Sequence, residues 1–166
     1  MPKSPTPASN PAVEAPKSQY GALCWRAGKN GAEVLLISSR ETGRWVIPKG
    51  WPMKGRSAAE SAEIEAWEEA GVKGAIAKAK LGQFTYHKIF KRDTVQEHAQ
   101  PCLVEVYPLE VTQISPEFPE HRQRRRKWFA LEAAARKVAE VELKALLAGF
   151  SPPLPMPPNA NQDCAP

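Results

Sequence analysis

One short segment constrains this chain more than any other. A capping-box pattern predicts a helix that begins at Ser57, and a glycine of the kind that ends helices stands at Gly71. Glu65, Glu68 and Glu69 fall on one face of that helix, at spacings of three and four residues. Like charges at these spacings destabilise a helix by a few tenths of a kcal/mol per pair. We refer to these three residues as the helix glutamates.

Two features next to the helix glutamates suggest what the charge is for. A stripe of small residues, which can pack closely on a sheet, borders the acidic face at Ala59, Ala62, Ala66 and Ala70. A Gly- and Pro-containing loop with Lys49 and Lys54 precedes the helix. A solvated acidic face explains the helix taken alone equally well. Converging carboxylates beside such a loop, however, suit a divalent cation such as Mg²⁺, which takes oxygen ligands and is often shared with substrate phosphates.

The remaining chain predicts a mixture of strands and helices. Apolar runs separated by turn signals indicate strands, and a long segment with apolar residues at helical spacing follows a polar loop. This order predicts an α+β domain with helices packed on a mixed or antiparallel sheet. The predicted strands lie at 20–26, 33–40, 45–48, within 74–90 and at 101–111, and the last helix covers 128–150.

Composition separates the folded part from the chain ends. The 166 residues are 42% apolar and 25% charged, as in soluble globular proteins. Many of the 17 prolines lie near the two ends, where apolar periodicity is absent. We therefore predict disordered tails at 1–18 and 151–166 and one domain at 19–150.

Charge and cysteine content limit the partners and the compartment. A formal net charge of +5 favours anionic partners without choosing among them. Three cysteines without metal-ligand spacing favour a reducing compartment, and the N-terminus lacks the apolar core of a signal peptide. No apolar run is long enough to span a bilayer. We expect a cytoplasmic protein with no membrane partner; the oligomeric state is not determined at this level.

The segment 50–72 resembles the Nudix box, the signature of the Nudix hydrolases. That box is a Gly, five residues, a Glu, seven residues, Arg-Glu, an apolar residue, any residue, Glu-Glu, any residue, Gly and an apolar residue. All spacings hold across the 23 positions, with matches at Gly50, Glu65, Ala66, Glu68, Glu69, Gly71 and Val72. The resemblance implies an α/β/α sandwich in which a mixed sheet carries the Nudix helix and a C-terminal helix.

Two positions depart from the box. Arg56 stands at its first glutamate, and Ile64 stands at its arginine. In the family, that arginine helps to orient the neighbouring glutamate. Ile64 has no hydrogen-bond donor in its side chain, so another group must do this or activity is reduced. Arg56, near the start of the helix, is one conceivable substitute.

The resemblance also implies a set of catalytic residues. The helix glutamates would bind Mg²⁺ or Mn²⁺, and one carboxylate would accept a proton from the attacking water. Glu65 and the loop residue Glu120 are the candidates for this base. For Glu120, a solvated loop carboxylate is an equally good interpretation.

The segments "VIPKGW" and "PEHRQRRRKWF" are similar to the branch that cleaves diadenosine polyphosphates and diphosphoinositol polyphosphates. This similarity implies hydrolysis of a pyrophosphate bond in a polyphosphorylated small molecule, with a basic rim around the box. The predicted substrate-binding residues are Arg44, Lys49, Gly50, His87 and Lys88. Further rim candidates are Arg40, Lys54, Lys91 and Arg92.

Two other functions remain open. One is a housecleaning pyrophosphatase of nucleoside triphosphates. The other is a degenerate Nudix domain that binds a phosphorylated ligand or RNA ends without turnover, which the two departures from the box favour. The arginine run at 122–126 has no interleaved aromatic residues to stack bases, which argues against nucleic acid as the main partner. We interpret it as part of the basic rim or as solvated surface.

Overall fold

One mixed sheet forms the centre of the protein. The computed structural model describes residues 14–153, and this part of the chain contains eight strands in one sheet. Five of them follow the order β3-β2-β1-β7-β5, while β4 pairs with β1, β6 with β7 and β8 with β2. The strands are β1 (Lys17–Gly28), β2 (Gly31–Ser38), β3 (Trp45–Val46), β4 (Lys49–Gly50), β5 (Val72–Ile76), β6 (Gly82–Phe90), β7 (His98–Ile114) and β8 (Arg126–Ala130).

The central strands are buried on both faces. β1 and β2 form the predicted antiparallel hairpin, and β1 also runs parallel to β7, which makes the sheet mixed. Because side chains alternate along a strand, Leu23 and Trp25 enter the core on one face of the sheet. Ala22 and Cys24 enter a second core on the other face. The sheet therefore needs a helical layer on each side.

Helices supply those two layers. α1 (Ala58–Glu65) continues into a π-turn (Ala66–Ala70) on the Ala22 face. α2 (Leu131–Lys137) and α3 (Val141–Gly149) cover the Leu23 face. This arrangement confirms the predicted α+β class and the α/β/α sandwich with a mixed sheet.

The prediction of one continuous helix over 128–150 was wrong. Its first residues belong to β8, where Phe129 pairs with Val34 of β2. The helix is then broken at Val138, which is extended and buried in the core. Helix propensity is a weak preference that tertiary contacts override. Here the break buries Val138 and brings Glu140 next to Arg44, with 3.7 Å between the charged groups.

The first strand and the last helix lie close to the predicted domain limits. β1 begins at Lys17, two residues before the predicted start at Gln19. Most of both predicted tails, 1–13 and 154–166, lies outside the described residues. No helix within residues 14–153 has the length and apolarity needed to cross a membrane.

Candidate active site

The helix that carries the glutamates begins and ends where the sequence predicts. The Ser57 hydroxyl accepts a hydrogen bond from the backbone N–H of Glu60 at 3.1 Å. Gly71 ends the helix in the left-handed conformation, with φ of 67°. The last turn, however, is a π-turn rather than an α-helical turn. Such turns are rare and are often found at functional sites.

The β7–β8 loop, residues 115–125, closes the end of this helix. The backbone N–H of Glu120 donates to the carbonyl of Glu68 at 3.0 Å. From β8, the Arg126 guanidinium donates to the carbonyls of Ala70 at 2.7 Å and Ser115 at 2.6 Å. These contacts satisfy carbonyls that a helix end leaves unpaired, and they place a cation at the negative end of the helix. The loop and the helix are thereby held together.

One polar cavity of about 350 Å³ lies between the helix glutamates and the opposite strands. All the residues that the sequence predicted for the site border it: Arg44, Lys49, Gly50, Glu65, Glu68, Glu69, His87, Lys88 and Glu120. Of the further rim candidates, Arg40 and Arg92 also line the cavity, whereas Lys54 and Lys91 do not. Carboxylates and cationic groups therefore meet across a single space.

Glu65, like Glu68, forms fewer polar contacts than the other carboxylates of the cavity, which are all in ion pairs. Within residues 14–153 it has no salt bridge and no hydrogen-bonded side-chain partner. Its carboxylate packs against Gly50 so closely that a Cβ at residue 50 would overlap it, which explains the need for glycine there. Burial, together with the neighbouring carboxylates of Glu69, Glu68 and Glu120, raises the pKa of Glu65 to about 7.

Glu69, in contrast, is held from two sides. One oxygen accepts from Arg124 Nη2 at 3.0 Å, and the other accepts from the backbone N–H of Lys49 at 3.1 Å. Burial raises the pKa of the Glu69 carboxyl, while Arg124 and Lys49 oppose that shift. The orientation of this carboxylate is thus determined by groups that lie outside its own helix.

Within the arginine run, for which the sequence suggested rim or solvated surface, Arg124 lines the cavity and is not solvated surface, whereas Arg122 and Arg125 are exposed. The Arg124 side chain is only 7% exposed, and besides Glu69 it contacts Glu120 Oε1 at 3.4 Å. Arg40 contacts the same Glu120 oxygen at 3.3 Å. Glu120 is therefore a partly buried member of a charged network, and its interpretation as a solvated loop carboxylate is wrong.

The cationic side of the cavity is built on β4, β6 and the turn before β3. Lys49 lies in β4, which pairs with β1, and its ammonium group lies 4.8 Å from the centre of the Tyr86 ring. Burial lowers the pKa of Lys49, and the nearby Glu69 and Glu140 partly offset this. His87 and Lys88 follow Tyr86 along β6. These groups can accept phosphate oxygens that extend away from the helix glutamates.

The two departures from the Nudix box lie apart from this network. Arg56 is exposed and pairs with Glu60 at 3.8 Å, one turn along the helix. It does not contact Glu65, so it is not the substitute that the sequence suggested. Ile64 is half-buried and offers no donor.

Several cavity residues were not predicted to belong to the site. Two of these residues are Trp51, which is 38% exposed, and Glu140, whose side chain is largely buried. They lie so far apart in sequence that no sequence motif would place both of them in one site. Arg124 did carry a signal, four residues after Glu120, but the adjacent arginines masked it. The other cavity residues that were missed are Gln19, Ser39, Glu41, Thr42, Val46, Tyr86 and Ile89.

Whether a divalent cation fits this cavity depends on which side-chain atoms can ligate it. Among residues 14–153, no three Asp, Glu, His or Cys side chains form a ready-made metal cluster. The helix glutamates nevertheless border one cavity, and Glu65 has a raised pKa because negative charge is concentrated around it. Carboxylate oxygens with this charge imbalance suit Mg²⁺ or Mn²⁺. The residues present therefore fit such an ion.

Comparisons with known proteins place the chain among Nudix proteins. The chain is 32% identical over 120 residues to diphosphoinositol polyphosphate phosphohydrolase 3-beta of Bos taurus, an alignment that covers 71% of this chain and 66% of that protein. It is 34% identical over 106 residues to mitochondrial Nudix hydrolase 12 of Arabidopsis thaliana, covering 63% and 51%. The chain thus spans about half to two thirds of the length of these relatives.

Solved structures show the same fold. The crystal structure of the C. elegans Ap4A hydrolase superposes with a TM-score of 0.55 at 20% identity, covering 81% of this chain and 95% of that chain. The Nudix domain of Shewanella oneidensis NrtR, in complex with ADP ribose, superposes with a TM-score of 0.56 at 16% identity, covering 82% and 87%. The family model of the Nudix domain matches residues 17–150. The chain therefore belongs to the Nudix hydrolase family.

Proposed function

We propose that this protein hydrolyses a pyrophosphate bond in a polyphosphorylated small molecule, with Mg²⁺ or Mn²⁺ as cofactor. The observation that carries the proposal is the single cavity in which the helix glutamates face Arg44, Lys49, His87 and Lys88. An acidic wall suits a divalent cation, and a basic wall suits phosphate groups. Phosphoryl transfer depends chiefly on such positioning and charge stabilisation.

Different residues of the cavity would have different roles. The helix glutamates would hold the cation, with Glu69 oriented by Arg124 and by the Lys49 N–H. When bound, the cation would neutralise phosphate charge and lower the pKa of the attacking water. Lys49, half-buried beside Tyr86, would contact the phosphate nearest the helix. Arg44, His87 and Lys88 would hold phosphates farther along the substrate.

Of the two candidates for the base, contacts favour Glu65. Glu120 is engaged by both Arg40 and Arg124, so the oxygen that they share is already hydrogen-bonded or paired. Glu65 has no such partner within the described residues and borders the cavity directly. A carboxylate without an arginine partner accepts the proton of the attacking water more readily than one that arginines pair with. Glu120 then helps to position Arg124.

The branch of the family suggests the substrate class. The Bos taurus relative is named for diphosphoinositol polyphosphates, and the C. elegans structural neighbour for Ap4A. Both kinds of molecule carry several phosphates, which matches the Arg and Lys side chains that line the cavity besides Arg124: Arg40, Arg44, Lys49, Lys88 and Arg92. We therefore propose diadenosine or diphosphoinositol polyphosphates as substrates. The cytoplasmic location stays a prediction, since two of the relatives are named as mitochondrial.

A substrate panel tests the proposal. The protein would be incubated with Mg²⁺ or Mn²⁺ and with diadenosine polyphosphates, diphosphoinositol polyphosphates and nucleoside triphosphates, and the products would be separated by ion exchange. We expect cleavage of one of the first two classes, abolished by EDTA and strongly reduced in Glu68→Gln. Glu63→Gln, which alters a helix carboxylate outside the cavity lining, is the matched control and should keep full activity.

Two results would contradict the proposal. Cleavage of nucleoside triphosphates alone would assign the protein to the housecleaning class. Binding of all three classes without any product would mean that the domain binds its ligand without turnover. The two departures from the box, Arg56 and Ile64, favour this alternative.

A further inference from the structure

The cationic side chain that contacts the helix glutamates comes from outside the helix. Position 64 carries isoleucine, and Arg56 is paired with Glu60 on the exposed start of the helix. Neither residue can orient the carboxylates that face the cavity. The helix itself therefore supplies no cationic partner for the helix glutamates.

Arg124 contacts that acidic face instead. Its Nη2 donates to Glu69 Oε1 at 3.0 Å and lies 3.4 Å from Glu120 Oε1. Its Nη1 donates to the backbone carbonyl of Ser38 at the end of β2, at 3.1 Å. Buried, charge-assisted hydrogen bonds of this kind are short, directional and stronger than neutral ones.

The backbone on either side of Arg124 is anchored, so its position does not depend on the side-chain contacts alone. The N–H of Arg125 donates to the Ser38 hydroxyl at 2.8 Å, and the Arg125 carbonyl accepts from the Ser38 N–H at 2.9 Å. Four residues earlier, Glu120 is tied to the carbonyl of Glu68. Arg124 thus extends from a fixed segment of the β7–β8 loop toward the helix.

The second oxygen of Glu69 is held independently by the backbone N–H of Lys49. A carboxylate with one partner on each oxygen has a defined plane and little rotational freedom. We propose that Arg124 is a positioning residue that fixes Glu69 for cation binding and does so from the β7–β8 loop. The inference rests on the proposed function, because it assumes that Glu69 is a metal ligand.

Measurement of Mn²⁺ binding tests this inference without reference to catalysis. Free Mn²⁺ would be quantified by electron paramagnetic resonance during titration of the whole protein and its variants, with no substrate present. We expect Arg124→Met to raise the Kd for Mn²⁺ by about 10–100-fold, the usual effect of losing a group that orients a ligand. Arg124→Lys keeps the charge with fewer directed donors and should show a smaller increase. Arg122→Ala, an exposed neighbour on the same loop, should bind Mn²⁺ as the unmodified protein does.

A rescue variant separates orientation from simple folding support. If the missing function is orientation of the helix carboxylates, Ile64→Arg in the Arg124→Met background should recover part of the Mn²⁺ affinity. Circular dichroism at 25 °C would establish that each variant is folded. If Arg124→Met does not fold, the Mn²⁺ affinity of Arg124→Lys still tests the positioning role.

The outcomes are distinct. If the unmodified protein takes up no Mn²⁺, both the proposed function and this inference fail. If it binds Mn²⁺ and Arg124→Met binds equally well or more tightly, only the positioning role fails, and Arg124 would then act on the phosphates. A change in substrate KM with an unchanged Kd for Mn²⁺ would lead to the same conclusion.

Discussion

The two faces of the sheet are covered in different ways. Beneath α2 and α3 the core contains large side chains, among them Trp25, Phe84, Phe129, Leu143 and Leu147. Beneath α1 the sheet also contributes large side chains such as Leu35 and Leu109, but α1 and its π-turn add only alanines to this apolar core, whereas α3 adds Leu143 and Leu147 on the other face. Large buried side chains contribute about 1.5–3 kcal/mol each, whereas an alanine contributes much less. The α1 face therefore depends more on other contacts.

Those other contacts are polar and come from the β7–β8 loop and the start of β8. Arg126 binds the carbonyls at the helix end, and Arg124 binds Glu69. The groups that hold the helix are thus the same groups, or direct neighbours of the groups, that arrange the site. We infer that substitutions on the α1 face change stability and activity together, whereas substitutions on the other face change stability alone. Four substitutions, taken from the largest expected effect to the smallest, test this difference.

The strongest test removes charge within the site. Glu65→Gln should lower kcat by about 10²–10⁴-fold if Glu65 is the base. The pKa of Glu65 is raised from 4.5 to about 7, so the stability that its protonation contributes is present at low pH and is lost as pH rises through 7. Glutamine avoids that loss. At pH 8 in EDTA the unfolding temperature should therefore rise, by about 2–4 °C after allowance for solvent screening.

Calorimetry and steady-state kinetics would measure both effects of this substitution. Full activity in Glu65→Gln would exclude it as the base and shift the role to Glu120. An unfolding temperature lower than that of the unmodified protein would contradict the inferred crowding of carboxylates.

The opposite face should show the reverse behaviour. Leu143→Ala creates a cavity in the core beneath α3 and should lower the free energy of unfolding by about 2–5 kcal/mol. Because Leu143 does not line the cavity, kcat/KM per folded molecule should not change. Urea unfolding combined with active-site titration would check this. A matching loss of kcat/KM would show that the two faces are not separable.

Arg126→Met tests the coupling on the α1 face. Loss of the hydrogen bonds to Ala70 and Ser115 should lower the free energy of unfolding by about 1–3 kcal/mol. Because the loop that carries Glu120 and Arg124 is held by the same contacts, Mn²⁺ affinity should fall as well. Lys127→Met, at the next and exposed position, is the control. Loss of stability with unchanged Mn²⁺ affinity would refute the coupling.

The smallest effect is expected for Arg56, the departure from the Nudix box that lies on the surface. Arg56→Ala removes one exposed ion pair with Glu60, which is worth at most about 1 kcal/mol. Activity and Mn²⁺ affinity should remain within twofold of the unmodified protein. A large loss in either would mean that Arg56 reaches the site after all, and would reopen its assignment as a substitute for the missing arginine.

Local patterns predicted much of this molecule. The helix start at Ser57 and its end at Gly71 depend on hydrogen bonds within a few residues, which sequence spacing expresses directly. The β1–β2 hairpin likewise follows from two apolar runs and a short turn. The prediction of one long C-terminal helix was wrong because residues 128–130 gain more stability from pairing with β2 than their helix propensity provides.

The sequence by itself determined where the acidic and basic residues of the candidate site lie along the chain, because the helix glutamates and the basic residues before the box are local to one helix and its preceding loop. Only the tertiary structure decided how they are held. Arg124 and Glu69 are 55 residues apart, and their contact exists because β8 pairs with β2 and carries the β7–β8 loop to the helix end. A contact between distant residues depends on the path of the whole chain, so no spacing in the sequence expresses it.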